Sequence, residues 1–168
     1  MKYLFHGACL FLFSVIQPTI LGKFEIFGAK PNLFLIYIIV VSFFCNRKEG
    51  MTIGFVFGFI FDLLIGRVLG LNAVLMLLLS YFISCFCEKV ISKNNFLIVA
   101  GFTIIATFFY ELVYYIIAYL GDLEFKTAFV RILLPEILSN MIFSAFIYFI
   151  VKKCLSKHIN PLPPILGD

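Results

Sequence analysis

Long apolar stretches follow one another along this chain, and their lengths limit what it can fold into. A helix needs about 20 residues to cross the ~30 Å hydrocarbon core of a bilayer. Two stretches, residues 31–45 and 51–65, are short for a span and could instead form a re-entrant hairpin. The pattern predicts an all-α integral membrane protein, a compact bundle of six transmembrane helices, with spans at residues 3–21, 31–45, 51–65, 69–87, 96–120 and about 130–151.

Composition excludes an ordinary soluble domain. Apolar residues make up 63% of the 168 positions and charged residues only 13%, whereas soluble domains contain about 45–50% and about 25%. We therefore expect one transmembrane domain over residues 1–168, with residues 152–168 as a cytoplasmic tail. That tail contains prolines from Pro161 onward, which a helix does not tolerate in its interior.

The net charge of +4 does not indicate nucleic acid, because the basic residues lie beside the apolar spans. In that position they set topology, since cytoplasmic loops carry the excess of Lys and Arg. With six spans, eight basic residues fall on the side of the termini and five on the other. The eight are Lys2, Arg47, Lys48, Lys89, Lys93, Lys152, Lys153 and Lys157, and the five are Lys23, Lys30, Arg67, Lys126 and Arg131. Both termini are therefore predicted to be cytoplasmic.

Three carboxylates lie within the predicted spans, where an ionised side chain costs ~2.5–3.5 kcal/mol at the helix centre. Asp62 could pair with Arg67 or cap the turn beside it, with a partner or ligand contact and proton transport as alternatives. Glu111, at mid-span, could be protonated or held by neighbouring tyrosines. Glu136 follows Pro135 near the start of the last helix, where the helix dipole favours a carboxylate.

Glycines form a second pattern, because Gly50, Gly54 and Gly58 recur every four residues before Asp62. Small residues at this spacing let a second helix approach closely, and in lipid such packing drives helix association. The segment after Asp62 is predicted to turn on glycines such as Gly70. Asn72 is predicted to satisfy backbone groups at the start of the next helix.

Residues suited to catalysis or metal binding show no spacing typical of such sites. His6 and His158 lie at opposite ends of the chain, and a lone histidine near a membrane surface is usually solvated or hydrogen-bonded. The five cysteines form no CxxC pattern and are interpreted as small apolar residues. The sequence therefore predicts neither an enzyme nor a cofactor or metal site.

Several segments together resemble one bacterial family, the rod shape-determining protein MreD family, over nearly the whole chain. Gln17 ends the first span and "PNLFLI" from Pro31 opens the second. The most specific segment is "EGMTIGFVFGFIFDLLIGRVLGLNA", residues 49–73, and "LPEILSNMIFSAFIYFIVKK" supplies Pro135 and Asn140. The family commonly has Pro-Asp where this chain has Pro31-Asn32, so the acidic charge is not needed here.

The resemblance implies a non-enzymatic inner-membrane component of the cell-elongation machinery. Such proteins bind MreC and help connect MreB filaments with a RodA-type glycosyltransferase and its class B penicillin-binding protein. The family is also similar to the substrate-binding subunits of energy-coupling-factor transporters, which share a six-helix fold.

Two other functions remain open at the level of sequence. The first is a subunit that captures a vitamin or metal for transport, with an enclosed polar pocket near the outer face. Gln17, Asn32, Asp62, Arg67 and Asn72 could contribute to that pocket. The second is conduction of protons or lipids through Glu111.

Overall fold

Six α-helices account for most of the described part of the chain, which comprises residues 2–21, 30–66, 68–89, 95–120 and 129–155 of a computed structural model. Within these ranges the chain contains no β-strand. A short π-helical segment, Gln17–Leu21, continues the first helix through Pro18. The helices are α1 (Lys2–Ile16), α2 (Leu33–Phe44), α3 (Arg47–Leu64), α4 (Leu71–Lys89), α5 (Phe96–Leu120) and α6 (Phe129–Leu155).

Three of the described helices are long and apolar enough to cross a membrane, namely Leu71–Glu88, Phe96–Ile117 and Leu133–Cys154. Two further segments, Tyr3–Thr19 and Leu33–Phe44, are apolar but shorter. The outward faces of the long helices carry exposed side chains such as Phe82, Ile105 and Phe146. An apolar exterior of this kind is what a hydrocarbon solvent requires, and it agrees with a membrane protein.

The short helix α2 lies in the centre of the bundle, and all twelve of its residues are buried. It packs against α3, α4, α5 and α6, and to a smaller extent against α1. A helix that is apolar on every side is stable only when other elements surround it, which explains why "LFLIYIIVVSFF" has no polar face. At 1.5 Å per residue α2 is only roughly 18 Å long.

The connection between α2 and α3 is short, and α3 begins earlier than its predicted span. Its first turn includes charged residues from Arg47 to Glu49, four residues before the predicted start at 51. Arg47 forms an exposed ion pair with Glu88 of α4, with 2.6 Å between nitrogen and oxygen. Charged residues can thus extend a helix beyond the apolar stretch that the sequence pattern detects.

Candidate functional site

The carboxylate of Asp62, at the end of α3, caps the first turn of α4. Its Oδ2 accepts hydrogen bonds from the backbone N–H groups of Gly70 and Ala73, both at 3.0 Å. Its Oδ1 accepts from Asn72 twice, from the backbone N–H at 3.2 Å and from the side-chain amide at 2.7 Å. The first N–H groups of a helix have no partner within the helix, and a negative charge there is favoured by the helix dipole. Asp62 is only 2% exposed, and its buried carboxylate accepts hydrogen bonds from four donor groups.

Asn72 has a different role from the predicted one. The prediction that its side chain caps the start of α4 is wrong, because Asp62 accepts the backbone N–H groups there. The Asn72 side chain instead donates to Asp62 and accepts a short hydrogen bond from the hydroxyl of Tyr110 on α5. Asn72 therefore connects the junction between α3 and α4 to α5.

In the described part of the turn before α4, Gly70 has a backbone conformation that favours glycine. Gly70 has a φ of 90°, a value that costs an L-residue with a side chain roughly 1–2 kcal/mol. Gly66 does not share this conformation and instead lies against the backbone of Asp62. The predicted pair between Asp62 and Arg67 cannot be placed, because Arg67 lies outside the described residues.

A second set of hydrogen bonds surrounds the beginning of α2. The side chain of Gln17 donates to the carbonyl of Pro31 and accepts from the backbone N–H of Leu33, both at 3.0 Å. Asn32 caps α2 by accepting from the N–H of Leu35 at 3.1 Å. The helix α2 is too short to reach water at both of its ends. The side chains of Gln17 and Asn32 therefore supply hydrogen bonds to backbone groups at its start, which would be costly in lipid without partners.

Asn140 on α6 links the beginning of α2 to α5. Its Oδ1 accepts the backbone N–H of Asn32 at 3.0 Å, and its Nδ2 donates to the hydroxyl of Thr107 at 3.1 Å. Thr107 and Tyr110 lie three residues apart, on one face of α5. This face of α5 therefore joins the bonds around α2 to those around Asp62.

The carboxyl groups of Glu111 and Glu136 lie close enough to interact, and Glu136 also lies near the side chain of Asn140. The expectation that Glu111 is protonated or held by tyrosines stays a prediction, because Tyr110 and Tyr114 also lie near it. The dipole explanation for Glu136 is wrong: α6 begins at Phe129 and includes Pro135 in its interior, so Glu136 lies about two turns from the start of the helix, beyond the first turn in which the dipole acts.

These side chains form one group at the end of the bundle where α1 and α3 finish and α2 and α4 begin. Most of its members are buried. We call it the polar cluster, and its members are Gln17, Asn32, Asp62, Asn72, Thr107, Tyr110, Glu111, Glu136 and Asn140. Their hydrogen bonds connect five helices and the segment after α1, so the cluster can fix the relative positions of the helices.

The glycines of α3 lie along the face that packs on α4. A Cβ atom added at Gly58 would lie 2.4 Å from the carbonyl oxygen of Asn72 and 2.7 Å from the Cα of Ala73. One added at Gly54 would lie 2.7 Å from the carbonyl oxygen of Met76. The two backbones thus approach each other as closely as glycine allows, directly below the Asp62 cap.

Sequence reasoning identified most members of the polar cluster but missed Thr107, and it considered Tyr110 only as one of the tyrosines that could hold Glu111. Both residues are common in apolar helices, and no local spacing distinguishes them from lipid-facing residues. Their role depends on contacts with Asn140 and Asn72, which are more than thirty residues away along the chain.

The cap of α2 can be tested at Asn32, the position where the resemblance to the MreD family leads one to expect aspartate. We expect Asn32→Asp to leave stability nearly unchanged, because aspartate and asparagine both accept the N–H of Leu35 and are equally good caps. Asn32→Ala should lower the free energy of unfolding by about 0.5–2 kcal/mol. Thermal unfolding of the purified proteins in detergent would measure both changes, and equal losses in the two variants would contradict the capping role.

The all-helical fold, its apolar exterior and its internal polar cluster define a helical membrane protein of the multi-pass class. The family model for rod shape-determining protein MreD matches residues 1–158. The chain therefore belongs to the MreD family, which confirms the resemblance seen in its sequence. No curated protein and no solved structure matched the chain.

Proposed function

We propose that this protein is a non-enzymatic component of the bacterial rod complex in the inner membrane, where it binds an MreC-type protein and helps organise peptidoglycan synthesis. The observation that carries the proposal is the family match over residues 1–158. The family consists of shape-determining structural proteins and is not a known enzyme family. Further partners in this proposal are a RodA-type glycosyltransferase, a class B penicillin-binding protein and MreB filaments.

The direction in which polar and apolar groups point supports this role. Side chains of the polar cluster, such as Asp62, Asn72 and Asn140, form their hydrogen bonds with other groups of the same chain. The outward surface of the long helices is apolar. A partner would therefore contact either this apolar surface or the short connections between helices. Such a protein acts through its shape, which the polar cluster maintains.

Orientation in the membrane is part of the same proposal. With six spans and the excess of basic residues on the side of the termini, both termini lie in the cytoplasm. The polar cluster then lies toward the periplasmic side, where the bulk of an MreC-type partner would be. Labelling of single introduced cysteines from each side of the membrane tests this orientation.

A transport subunit that captures a vitamin has less support. Its pocket would need the polar atoms of Gln17, Asn32, Asp62 and Asn72, and each of these side chains hydrogen-bonds protein groups. The scaffold role therefore explains the same residues without a ligand.

Photo-crosslinking in living cells tests the proposed partner. A photoreactive amino acid is introduced in turn at exposed positions on four helices, Phe59, Phe82, Ile105 and Phe146. We expect at least one position to crosslink to the MreC-type protein, because partner contact must use the outward surface. The same residue introduced at Val99 of α5, which is fully buried, is the matched control and should give no crosslink.

Co-purification in mild detergent provides the second measurement. The wild-type chain should retain the MreC-type protein. Retention of a stoichiometric vitamin or an ATPase subunit, with no protein of wall synthesis and no crosslink at any exposed position, would replace the scaffold proposal with the transport one.

A further inference from the structure

At the end of the bundle opposite the polar cluster, three side chains from different elements converge. They are His6 on α1, Cys45 at the end of α2 and Glu49 in the first turn of α3. A ring nitrogen, the Sγ atom and a carboxylate oxygen of these residues all lie within 4.8 Å of one another. We propose that these three residues bind a divalent transition-metal ion, and that the ion is Zn²⁺.

Geometry and charge both suit such an ion. Zn²⁺ bonds of ~2.0–2.3 Å in a tetrahedral site hold ligand atoms about 3.3–3.8 Å apart, so the three groups need to close by no more than about 1.5 Å. A thiolate and a carboxylate together balance the two positive charges. The complex would thus be neutral, which matters because His6 and Cys45 are only 5% and 3% exposed. Thiolate and imidazole together favour Zn²⁺ over Mg²⁺ or Ca²⁺, which prefer oxygen ligands.

Tyr37 holds the histidine in an orientation that suits metal binding. Its hydroxyl lies 2.7 Å from Nδ1 of His6, and the tyrosine is itself fully buried and stacked on Phe57 at 4.8 Å between ring centres. Histidines that bind metals almost always donate their second ring N–H to a neighbouring acceptor. When Nδ1 donates to Tyr37, Nε2 carries the lone pair that the ion needs.

A cavity lined by two of the three ligands, His6 and Glu49, would give the ion access to solvent. It lies between α1 and α3, has a volume of about 490 Å³ and is lined by His6, Glu49, Tyr3 and Thr52 among others. Three protein ligands leave the fourth tetrahedral position for water. The ion would join the beginning of α1 to the connection between α2 and α3, and would add to the small contacts that α1 makes with α2 and α3.

Metal binding by the full-length protein in detergent tests the proposal. The protein is stripped with a chelator, reloaded with Zn²⁺, desalted and analysed for zinc by mass spectrometry. We expect about one Zn²⁺ per chain. With Co²⁺ in place of Zn²⁺, we expect a thiolate-to-cobalt charge-transfer absorption. Both signals should disappear in Cys45→Ser and in His6→Ala, and they should persist in the matched control Cys85→Ser, whose cysteine lies outside the three-residue group.

A weaker variant separates metal binding from general damage to the fold. Tyr37→Phe keeps the stacked ring and removes only the hydroxyl, so zinc affinity should fall about 10–100-fold while the charge-transfer band remains at saturating Co²⁺. Loading with Zn²⁺ should raise the melting temperature of wild type and leave that of Cys45→Ser unchanged. Wild-type protein that retains no zinc after desalting, or a Cys45→Ser protein that binds it as well as wild type, would overturn the proposal.

Discussion

Replacing Gly58 with alanine should strongly destabilise the protein. The new Cβ atom would lie 2.4 Å from the carbonyl oxygen of Asn72 and 2.7 Å from the Cα of Ala73. Both are backbone atoms of α4, so the helices themselves must move apart. Overpacking in a close-packed interior costs about 1–3 kcal/mol and occasionally more, and the shift would also disturb the Asp62 cap. We expect a melting temperature well below that of wild type, measured in detergent by fluorescence-detected size exclusion after heating.

Two other glycines serve as controls for this substitution. A Cβ atom at Gly101 of α5 meets nothing within 4 Å, and alanine is the better helix former by about 0.8–1.0 kcal/mol, so Gly101→Ala should be neutral or stabilising. Gly50→Ala should fall between the two, because its close neighbour is the movable hydroxyl of Ser84 at 2.6 Å. If all three variants had the same melting temperature, α3 and α4 would not pack as closely as the structure indicates.

Asp62→Asn should also cause a large loss of stability. Asparagine has nearly the same size and keeps one acceptor oxygen. Its NH₂ group, which cannot accept, takes the place of the other oxygen, and that oxygen accepts hydrogen bonds from two groups in the wild type. Either the bonds from Gly70 and Ala73 or those from Asn72 are then lost. Hydrogen bonds to a charged group contribute about 1.5–3 kcal/mol each, and we expect the free energy of unfolding to fall by about 2–5 kcal/mol.

Two further variants separate the contribution of the Asp62 cap to stability from the general effect of losing a carboxylate. Asp62→Leu removes every acceptor and should be worse than Asp62→Asn. Glu88→Gln changes an exposed carboxylate that pairs with Arg47, and it should change stability little, since exposed ion pairs are screened by solvent. Denaturation in detergent would give all three values. A stable, wild-type-like Asp62→Asn protein would show that the negative charge and its second oxygen are not needed.

The glycine repeat and the apolar stretches made much of this architecture predictable. A spacing of four predicts a close helix contact, because four residues nearly complete a helical turn. The repeat could not identify α4 as the partner, since any helix with small or movable side chains would fit against it. Similarly, the apolar segment at residues 31–45 indicated a helix but not its place at the centre of the bundle. That place depends on the summed packing of the other helices.

The site was predicted less completely, for a physical reason. An isolated carboxylate such as Asp62 indicates that a partner must exist, because burial of an unpaired charge is costly. The sequence does not indicate which groups provide the bonds. Here they are mostly backbone N–H groups, which every residue has. His6 and Cys45 were similarly unremarkable in sequence, because 38 residues separate them and only the fold brings them together.

The bond between the backbone N–H of Asn32 and the side chain of Asn140 has a consequence for biogenesis. Its two residues are 108 positions apart, so a ribosome has made most of the protein before the second one exists. Until then, the exposed amide at the start of α2 must find a temporary partner in the insertion machinery or at the lipid headgroups. The central helix therefore cannot reach its final state during synthesis. Chains that stop before α6 would lack the side chain with which that amide pairs.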